Sequence, residues 1–410
     1  MLDQTHLWNF HSLIRPSQFG FIPNSSCCDQ LVEFLEDITR ITDGGSWVDV
    51  VYLDFAKAFN SVPHKRLLAK LSAMGVKDDL FNWLKSFILN RREVVTVLGQ
   101  HSSPYEMSSG VPQGSVLGPL LFVAYINDID ANLRNTIVLK YADDIKLYLE
   151  IKKTDPERCR SLLQSDLDTV QQWITDWQLK LAVDKCTTMH FGRKNPAYIY
   201  SLHNTNIKES SCERDLGITV SSDLRWTKHV SNIVKKAEGV LASLSKTFVS
   251  RSPAIYLKLY KAMVRPHLEF ASPVWNPYLA QNINLLEAVQ RRATRRIPSI
   301  RHLPYSERLA ALGMDSLKLR RLATDLVNAH KVINHLNNSN LEHLFDLHVS
   351  NTRGHAYKVR KQHCSHDFRK HFFTLRIVEA WNKLPASVVG CRNTASFKAS
   401  MLPVVHQHST

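Results

Sequence analysis

The sequence predicts an α+β protein whose strands lie in the first half of the chain and whose second half is helical. Up to about residue 220, short β-branched runs alternate with segments of helical apolar spacing. From about residue 227 onward only the helical spacing persists. The 410 residues suffice for two or three compact domains, and 44% hydrophobic with 22% charged content is a globular composition.

In chain order, residues 28–42 form the first expected helix, from the spacing of Leu31, Phe34, Leu35 and Ile38. WVDVVYLDF at 47–55 is a β-branched strand running into an acidic residue. Residues 63–74 read as a helix, with Pro63 near its start and Gly75 past its end. VVTVLG at 94–99 is a further strand. TIVLKYADDIKLYLE at 136–150 reads as a hairpin turning near its aspartates. Asp155-Pro156 opens a helix to about Leu179, and TMHFG and LGITV are two more short strands. Helices are then expected at 227–247, 252–265, 279–296 and 315–336, broken by Pro253, Pro266, Pro273, Pro277 and Pro298. The last seventy residues are rich in His, Lys and Arg, with a clear period only from Phe368 to Trp381. Expected boundaries are residues 1–220, 221–335 and 336–410.

Charge is unevenly placed. Residues 1–205 hold 21 Lys+Arg against 23 Asp+Glu, a net of −2; the remainder holds 31 against 14, a net of +17. That asymmetry points to a polyanion bound largely by the second half. Seven cysteines, without C-x-x-C spacing, favour a reducing compartment over a disulfide framework. His363, Cys364 and His366 match no zinc spacing. The start of the chain shows no signal peptide, and the apolar run PLLFVAYI is too short to span a bilayer. An intracellular protein without membrane contact is expected.

Two stretches carry chemistry. Asp54 ends the strand VVYLDF, and Asp143 and Asp144 stand side by side at the expected hairpin turn. Asp is a poor strand former and adjacent carboxylates repel, so a cation is expected to make the pair tolerable. Mg²⁺, or Mn²⁺, is a hard ion suited to such oxygens, and two ions about 3.5–4 Å apart clamp an in-line phosphoryl displacement. The second stretch, SSGVPQGSVLGP at 108–119, has three glycines and two prolines before an apparently helical LLFVAYIND. Such a loop lets backbone amides approach an anion, although the P-loop lysine is missing.

DFAKAF, SGVPQGSVLGP and YADD, in this order, resemble three central motifs of reverse transcriptases, most closely those of non-LTR (LINE, jockey-type) retrotransposons. QFGF at 18–21, LKLAVDKC at 179–186, LGI at 216–218, QRRATRRI, HLPYSERL and WNKLP extend the resemblance over almost the whole chain. It implies a right-hand polymerase of palm and partial fingers (1–220), a helical thumb (221–335) and a basic C-terminal region. By resemblance, Asp54, Asp143 and Asp144 would hold the metal ions. Phe59 would lie beneath the incoming sugar and exclude a 2′-hydroxyl, with Phe55, Gly110, Pro112, Gln113 and Gly114 lining the nucleotide pocket. Lys185 falls where a polymerase lysine protonates pyrophosphate. The implied partners are an RNA template, a DNA primer and deoxynucleoside triphosphates.

Arg291, Arg292, Arg295 and Arg296 have no acidic residue between Glu287 and Glu307, and helical spacing makes them one cationic ridge for nucleic-acid phosphates. The chain departs from the family where Asn60 and Ala182 replace an Asp and an Asn, changes expected to loosen the pocket. An earlier basic fingers segment of the family has no counterpart here, so an N-terminally truncated enzyme with weakened activity is expected. The alternative is a catalytically silent remnant that binds RNA or DNA through its basic half. An intron-encoded or telomere-type enzyme is disfavoured by QRRATRRI and WNKLP.

Overall fold

The computed structural model describes residues 13–248, 252–337, 341–348 and 355–407. They form two compact units, one from residues 13–30 and 46–211, the other from 31–45 and the described residues beyond 211.

The first unit is built on β1 (Trp47–Leu53), whose residues are β-branched or apolar apart from Asp49. Such a run suits a central strand buried on both faces. Helices α2 (His64–Ala73) and α3 (Asp78–Ile88) follow, then α4 (Leu117–Ile126). Strands β2 (Ile137–Tyr141) and β3 (Asp144–Ile151) make the hairpin. Helix α5 (Pro156–Asp176) starts where the Asp155 side chain accepts from the Arg158 amide, with proline in its first turn. With β4 (Thr187–Phe191) and β5 (Lys208–Glu209), the sheet order is β5-β4-β1-β3-β2. All its pairings are antiparallel except β5 with β4. Val51, Leu53, Ile145 and Leu147 pack with Leu121, Phe122 and Tyr125 of α4 and with Leu163, Leu167 and Val170 of α5.

The buried charged groups Asp49, Lys140 and Lys70 of this unit are paired. Asp49, fully buried in β1, accepts from the Tyr200 hydroxyl at 2.7 Å and Asn195 Nδ2 at 2.9 Å, and meets His190 Nδ1 at 2.7 Å. Lys140 is equally buried and donates to Asp130 Oδ1 at 2.9 Å and Asn127 O at 2.8 Å. Lys70 donates to the Tyr125 carbonyl and Asp128, with its ammonium 3.5 Å from the Trp177 ring centroid. Desolvation lowers its pKa to about 8.

The second unit takes α1 (Cys27–Asp43) from Leu31 onward, the β6 (Cys212–Asp215) and β7 (Ile218–Ser221) hairpin, and the helices that follow. Its principal helices are α6 (Thr227–Thr247), α7 (Ala280–Arg295), α8 (Tyr305–Ala311), α9 (Leu317–Ile333) and α10 (Thr394–Gln407). Glu36 of α1 is buried against Arg369 at 2.6 Å and Thr374 Oγ1 at 2.7 Å. His366, of the motif that matched no zinc pattern, bonds Asp43 through its ring and its amide.

Three expectations need correction. VVTVLG is not a core strand: Thr96–Val97 pairs with Gln100–His101, and Leu98 and Gly99 turn between them at φ 49° and 80°. Two positive φ values are what a tight two-residue hairpin needs, so the chain reverses within the run and Val95, Val97 and Leu98 are exposed. The helix at 252–265 does not end at Pro266. It runs from Pro253–Leu259 through a π segment, Tyr260–Val264, into Arg265–Glu269, and the Arg265 amide reaches back five residues to Tyr260 O. Pro266 sits in the first turn of the last piece, where its missing N–H costs little. The segment 368–381 is three short helices, Asp367–Lys370, Phe373–Arg376 and Val378–Asn382.

Candidate active site

β1 ends at Leu53, which pairs with Ile145 of β3, so Asp54 emerges beside the aspartate hairpin. In that hairpin Tyr141 pairs with Asp144 around a two-residue turn of Ala142 and Asp143. Ala142 holds φ 55°, a left-handed value that costs an L-residue and needs outside support. Gln18 supplies it. Its Oε1 accepts from the Ala142 amide at 2.9 Å and from the Gly20 amide at 2.8 Å. The Phe19 amide donates to Lys140 O at 2.8 Å, and the Lys140 amide to Ser17 O at 2.7 Å. A Cβ at Gly20 would lie 2.5 Å from the Ala142 nitrogen, so only glycine lets QFGF approach this turn.

Asp54 and Asp143 are half-buried and Asp144 is exposed. Burial pushes the Asp143 carboxyl above its ordinary range; a bond to its own backbone opposes this, and the charge of Asp54 adds to it. Asp54 and Asp143 therefore feel each other. Among the described residues no Lys, Arg or His forms an ion pair with either, and no three His, Cys, Asp or Glu side chains are gathered as a metal cluster.

The other side of Asp54 is held by LKLAVDKC. Phe55 bridges Leu181, the Ala56 amide donates to Lys180 O at 2.8 Å, and the Ala182 amide donates to Asp54 O at 2.9 Å. Buried Cys186 places its Sγ 3.5 Å from the Asp54 nitrogen. Lys185 is exposed in the turn that this pairing sets beside the strand end. Ala182 contributes through its backbone, so replacing the family's usual side chain does not loosen this contact.

The glycine-rich loop docks on the turn after Asp54. The Gly110 amide donates to Val62 O and the Val111 amide to Phe59 O, both at 2.8 Å. Buried His64 places Nε2 2.8 Å from Gly110 O. Gly110 has φ 94°, and a Cβ there would press within 3.0 Å of the Asn60 backbone. Gln113 donates from Nε2 to Asn60 Oδ1 at 2.7 Å, and Ser109 Oγ to Asn60 O at 3.0 Å. Asn60 thus ties the loop down with an oxygen that aspartate would also offer. Gln113 and Gly114 are exposed and Pro112 half-buried. The half-buried Phe59 ring stacks on Phe122 at 4.4 Å and meets the edge of Phe21 at 6.5 Å. Phe55 departs from its expected place: its ring is 7% exposed and belongs to the core, because it alternates with outward-facing Asp54.

The four arginines of QRRATRRI do not form one ridge. Arg292 pairs with Glu238, while Arg296 donates to Leu241 O at 2.8 Å and to Ser245 Oγ of α6. Arg291 and Arg295 are exposed and join Arg292, Arg301, His302 and Arg308 around a concavity of about 410 Å³ without an acidic lining residue. Arg308, 7% exposed, bonds Thr294 Oγ1 and Leu303 O there. Arg301, His302 and Arg308 were missed in the sequence, although Arg301 and His302 follow QRRATRRI within the acid-free stretch up to Glu307 and Arg308 stands just beyond it. Gln18, Gly20 and His64 also escaped assignment, since their roles are backbone contacts between distant segments.

A polymerase-like acidic hairpin, abutted by a glycine-rich loop and a second carboxylate, defines the class. A sequence profile described as reverse transcriptase (RNA-dependent DNA polymerase) matches residues 2–231, and the chain belongs to that family. It is similar to the RNA-directed DNA polymerase from mobile element jockey of Drosophila melanogaster, 28% identical over 78% of this chain and 36% of that protein. The probable RNA-directed DNA polymerase from transposon BS of the same organism is 28% identical over 73% of this chain and 34% of its own length. The chain thus spans about a third of the curated relatives it matches. Among solved structures, a telomerase from Candida albicans with a telomeric RNA fragment aligns at 11% identity, covering 75% of this chain and 57% of that one, TM-score 0.41.

Proposed function

We propose that this chain is the polymerase portion of a jockey-type element and extends a DNA primer along an RNA template. The carrying observation is the pair Asp54 and Asp143. The fold drives two carboxylates together at fixed strand ends, raises the pKa of one, and among the described residues supplies neither with an ion pair. In this reading the chain up to residue 220 carries the palm and part of the fingers, residues 221–335 the thumb, and residues 336–410 the basic C-terminal region.

Hard carboxylate oxygens under mutual repulsion fit Mg²⁺ or Mn²⁺, with Asp54 and Asp143 as principal ligands and exposed Asp144 at the rim. When bound, two such ions neutralise charge developing on the oxygens of an in-line phosphoryl displacement. The protein groups do the rest. Gln18 fixes the turn that aims Asp143, and Cys186 and Ala182 fix the strand end that aims Asp54. Gln113 and the Gly110–Gly114 backbone border the nucleotide position, Phe59 closes the space beneath its sugar, and Lys185 is placed to donate a proton to departing pyrophosphate. The arginine concavity independently favours a nucleic-acid partner, the property that a catalytically silent remnant would retain.

Primer extension on a poly(A) template with an oligo(dT) primer tests the proposal. Mg²⁺- or Mn²⁺-dependent synthesis is expected, abolished by Asp143→Asn. Oligonucleotide binding with no extension under either metal would leave only the silent reading.

A further inference from the structure

The second unit holds a partly open cavity of about 660 Å³, lined among others by Tyr278, Lys318, Arg321, Asp325, His371 and Arg376. Its volume lies within the roughly 300–1,000 Å³ usual for small-molecule sites. Arg321 is its most unusual member. The side chain is 1% exposed and uses Nε to donate to Asn276 Oδ1 at 2.9 Å, but both Nη atoms lack any hydrogen-bond partner. A buried guanidinium with idle donors is costly, and such a group calls for a partner.

The one carboxylate lining the cavity cannot serve. Asp325 accepts from Arg376 Nε at 2.9 Å and Nη2 at 2.8 Å, and from Asn276 Nδ2 at 3.0 Å. Asp325 and Arg376 therefore cancel as an ion pair. Lys318 is exposed and its ammonium has no carboxylate partner among the described residues. Desolvation lowers the pKa of His371, which favours its neutral form. Arg321 and Lys318 are left as two cations on one cavity that form no ion pair among the described residues, although the charges of Glu287, Asp325 and Glu269 reach Arg321 at longer range.

Shape adds a second constraint. The Tyr278 and His371 rings stack at 4.3 Å and 10°, and Ile283, Leu319 and Leu322 complete an apolar wall. A ligand that meets both demands is doubly anionic at one end and flat and apolar at the other. A phosphate monoester carries about −1.5 to −2 at neutral pH, whereas a diester or carboxylate carries only one charge. Its oxygens also suit the planar fork of an arginine.

We propose that this cavity binds the monophosphate end of a nucleotide, with Arg321 and Lys318 on the phosphate and the Tyr278–His371 face beside the base. The same chemistry is presented by a free nucleoside monophosphate and by the phosphorylated 5′ end of a strand. The site shares no lining residue with the aspartates and stands whether or not the chain polymerises.

Isothermal titration of the full chain with AMP, and fluorescence anisotropy with 5′-phosphorylated and 5′-hydroxyl forms of one short oligonucleotide, test the proposal. Binding of AMP or the phosphorylated strand should weaken about tenfold or more in Lys318→Ala, the loss of one charge-assisted contact. Arg321→Gln should weaken it further. Because Arg321 is buried, exposed Lys318 keeps the test valid if Arg321→Gln misfolds. AMP binding without preference between the two strand forms assigns the free nucleotide as the source, and preference for the phosphorylated strand alone assigns the strand end. Failure of both ligands to bind, or equal affinity in wild type and Lys318→Ala, overturns the proposal.

Discussion

Removing Arg291, Arg295 and Arg301 together should flatten the salt dependence of single-strand binding while leaving the fold intact. None of the three has a carboxylate partner among the described residues, and all are exposed around the 410 Å³ concavity. Each phosphate contact contributes about −0.7 to the slope of log K against log salt on single strands, so three lost contacts remove about 2 from it. Over a fourfold rise in salt, wild-type affinity should then fall roughly 15- to 20-fold more than that of the triple-alanine variant. Fluorescence anisotropy on one oligonucleotide across several salt concentrations reads this directly, and base composition should not alter the difference.

Arg296→Ala is the informative control. Its guanidinium is spent on Leu241 O and Ser245 Oγ, so its loss should lower thermal stability by about 1–2 kcal/mol and leave the slope unchanged. Arg292, paired with Glu238, should give an intermediate slope change. Equal slopes in wild type and triple variant would refute the reasoning and make the concavity an ordinary solvated surface.

Two further outcomes follow from single side chains. Phe59→Val should narrow discrimination between deoxy- and ribonucleotides by roughly ten- to two-hundredfold in primer extension, the range for a small steric change in a pocket; an unchanged ratio would make Phe59 only the packing partner of Phe122 and Phe21. His229 is buried, with Nδ1 accepting from the Thr219 amide and Nε2 unpartnered, and desolvation lowers its pKa to about 4. The folded state then resists protonation where the unfolded state accepts it. Its stabilising contribution is complete above about pH 6.5 and falls by about 1.4 kcal/mol per unit, some 3 kcal/mol in all, as pH drops toward 4. Denaturation of His229→Gln should lack that part of the acid loss, and parallel pH profiles would count against it.

The strands, the hairpin turn and the helices at 227–247, 279–296 and 315–336 were legible because apolar periodicity is local. The segment 94–99 misled because a β-branched run looks alike whether it crosses a core or reverses within itself. Leu98 at φ 49° is a turn residue no propensity rule favours. Helices α3, α8 and α10 were missed, and α10 even contains Pro403. In the candidate site, residue types were readable but support was not. The bond from Gln18 to Ala142 spans 124 positions, and that from Cys186 to Asp54 spans 132. Asn60 and Ala182 looked like weaknesses by residue type, yet each contributes a tie that its substitution preserves.

That support bears on how Asp54 and Asp143 are tolerated so close together. For these two the expected cation is not a neighbouring side chain: among the described residues no Lys, Arg or His pairs with either. Two buried lysines of this unit are spent elsewhere, Lys140 on Asp130 and Lys70 on Asp128. Unfavourable placement of Asp143 is instead held by backbone bonds that use none of the Asp54 or Asp143 side-chain oxygens from outside: Gln18 to Ala142, Ala182 to Asp54, and the Tyr141–Asp144 pair. A fold that needed these carboxylates only for stability would have paired them, since unpaired burial of charge is costly. Strain maintained by surrounding structure with ligand oxygens left over is the pattern of a functional site. In metal-free protein, therefore, Asp143→Asn should raise stability near neutral pH. Its carboxyl pKa lies above the ordinary value, so the penalty is absent below the usual carboxylate range and develops as pH rises through it. Melting curves at pH 3.5 and 7 should show the gain only at the higher pH, and Mg²⁺ should stabilise the wild type more than the variant. A loss of stability at neutral pH without metal would mean that Asp143 is a structural residue and that the pair was never held in reserve for a cation.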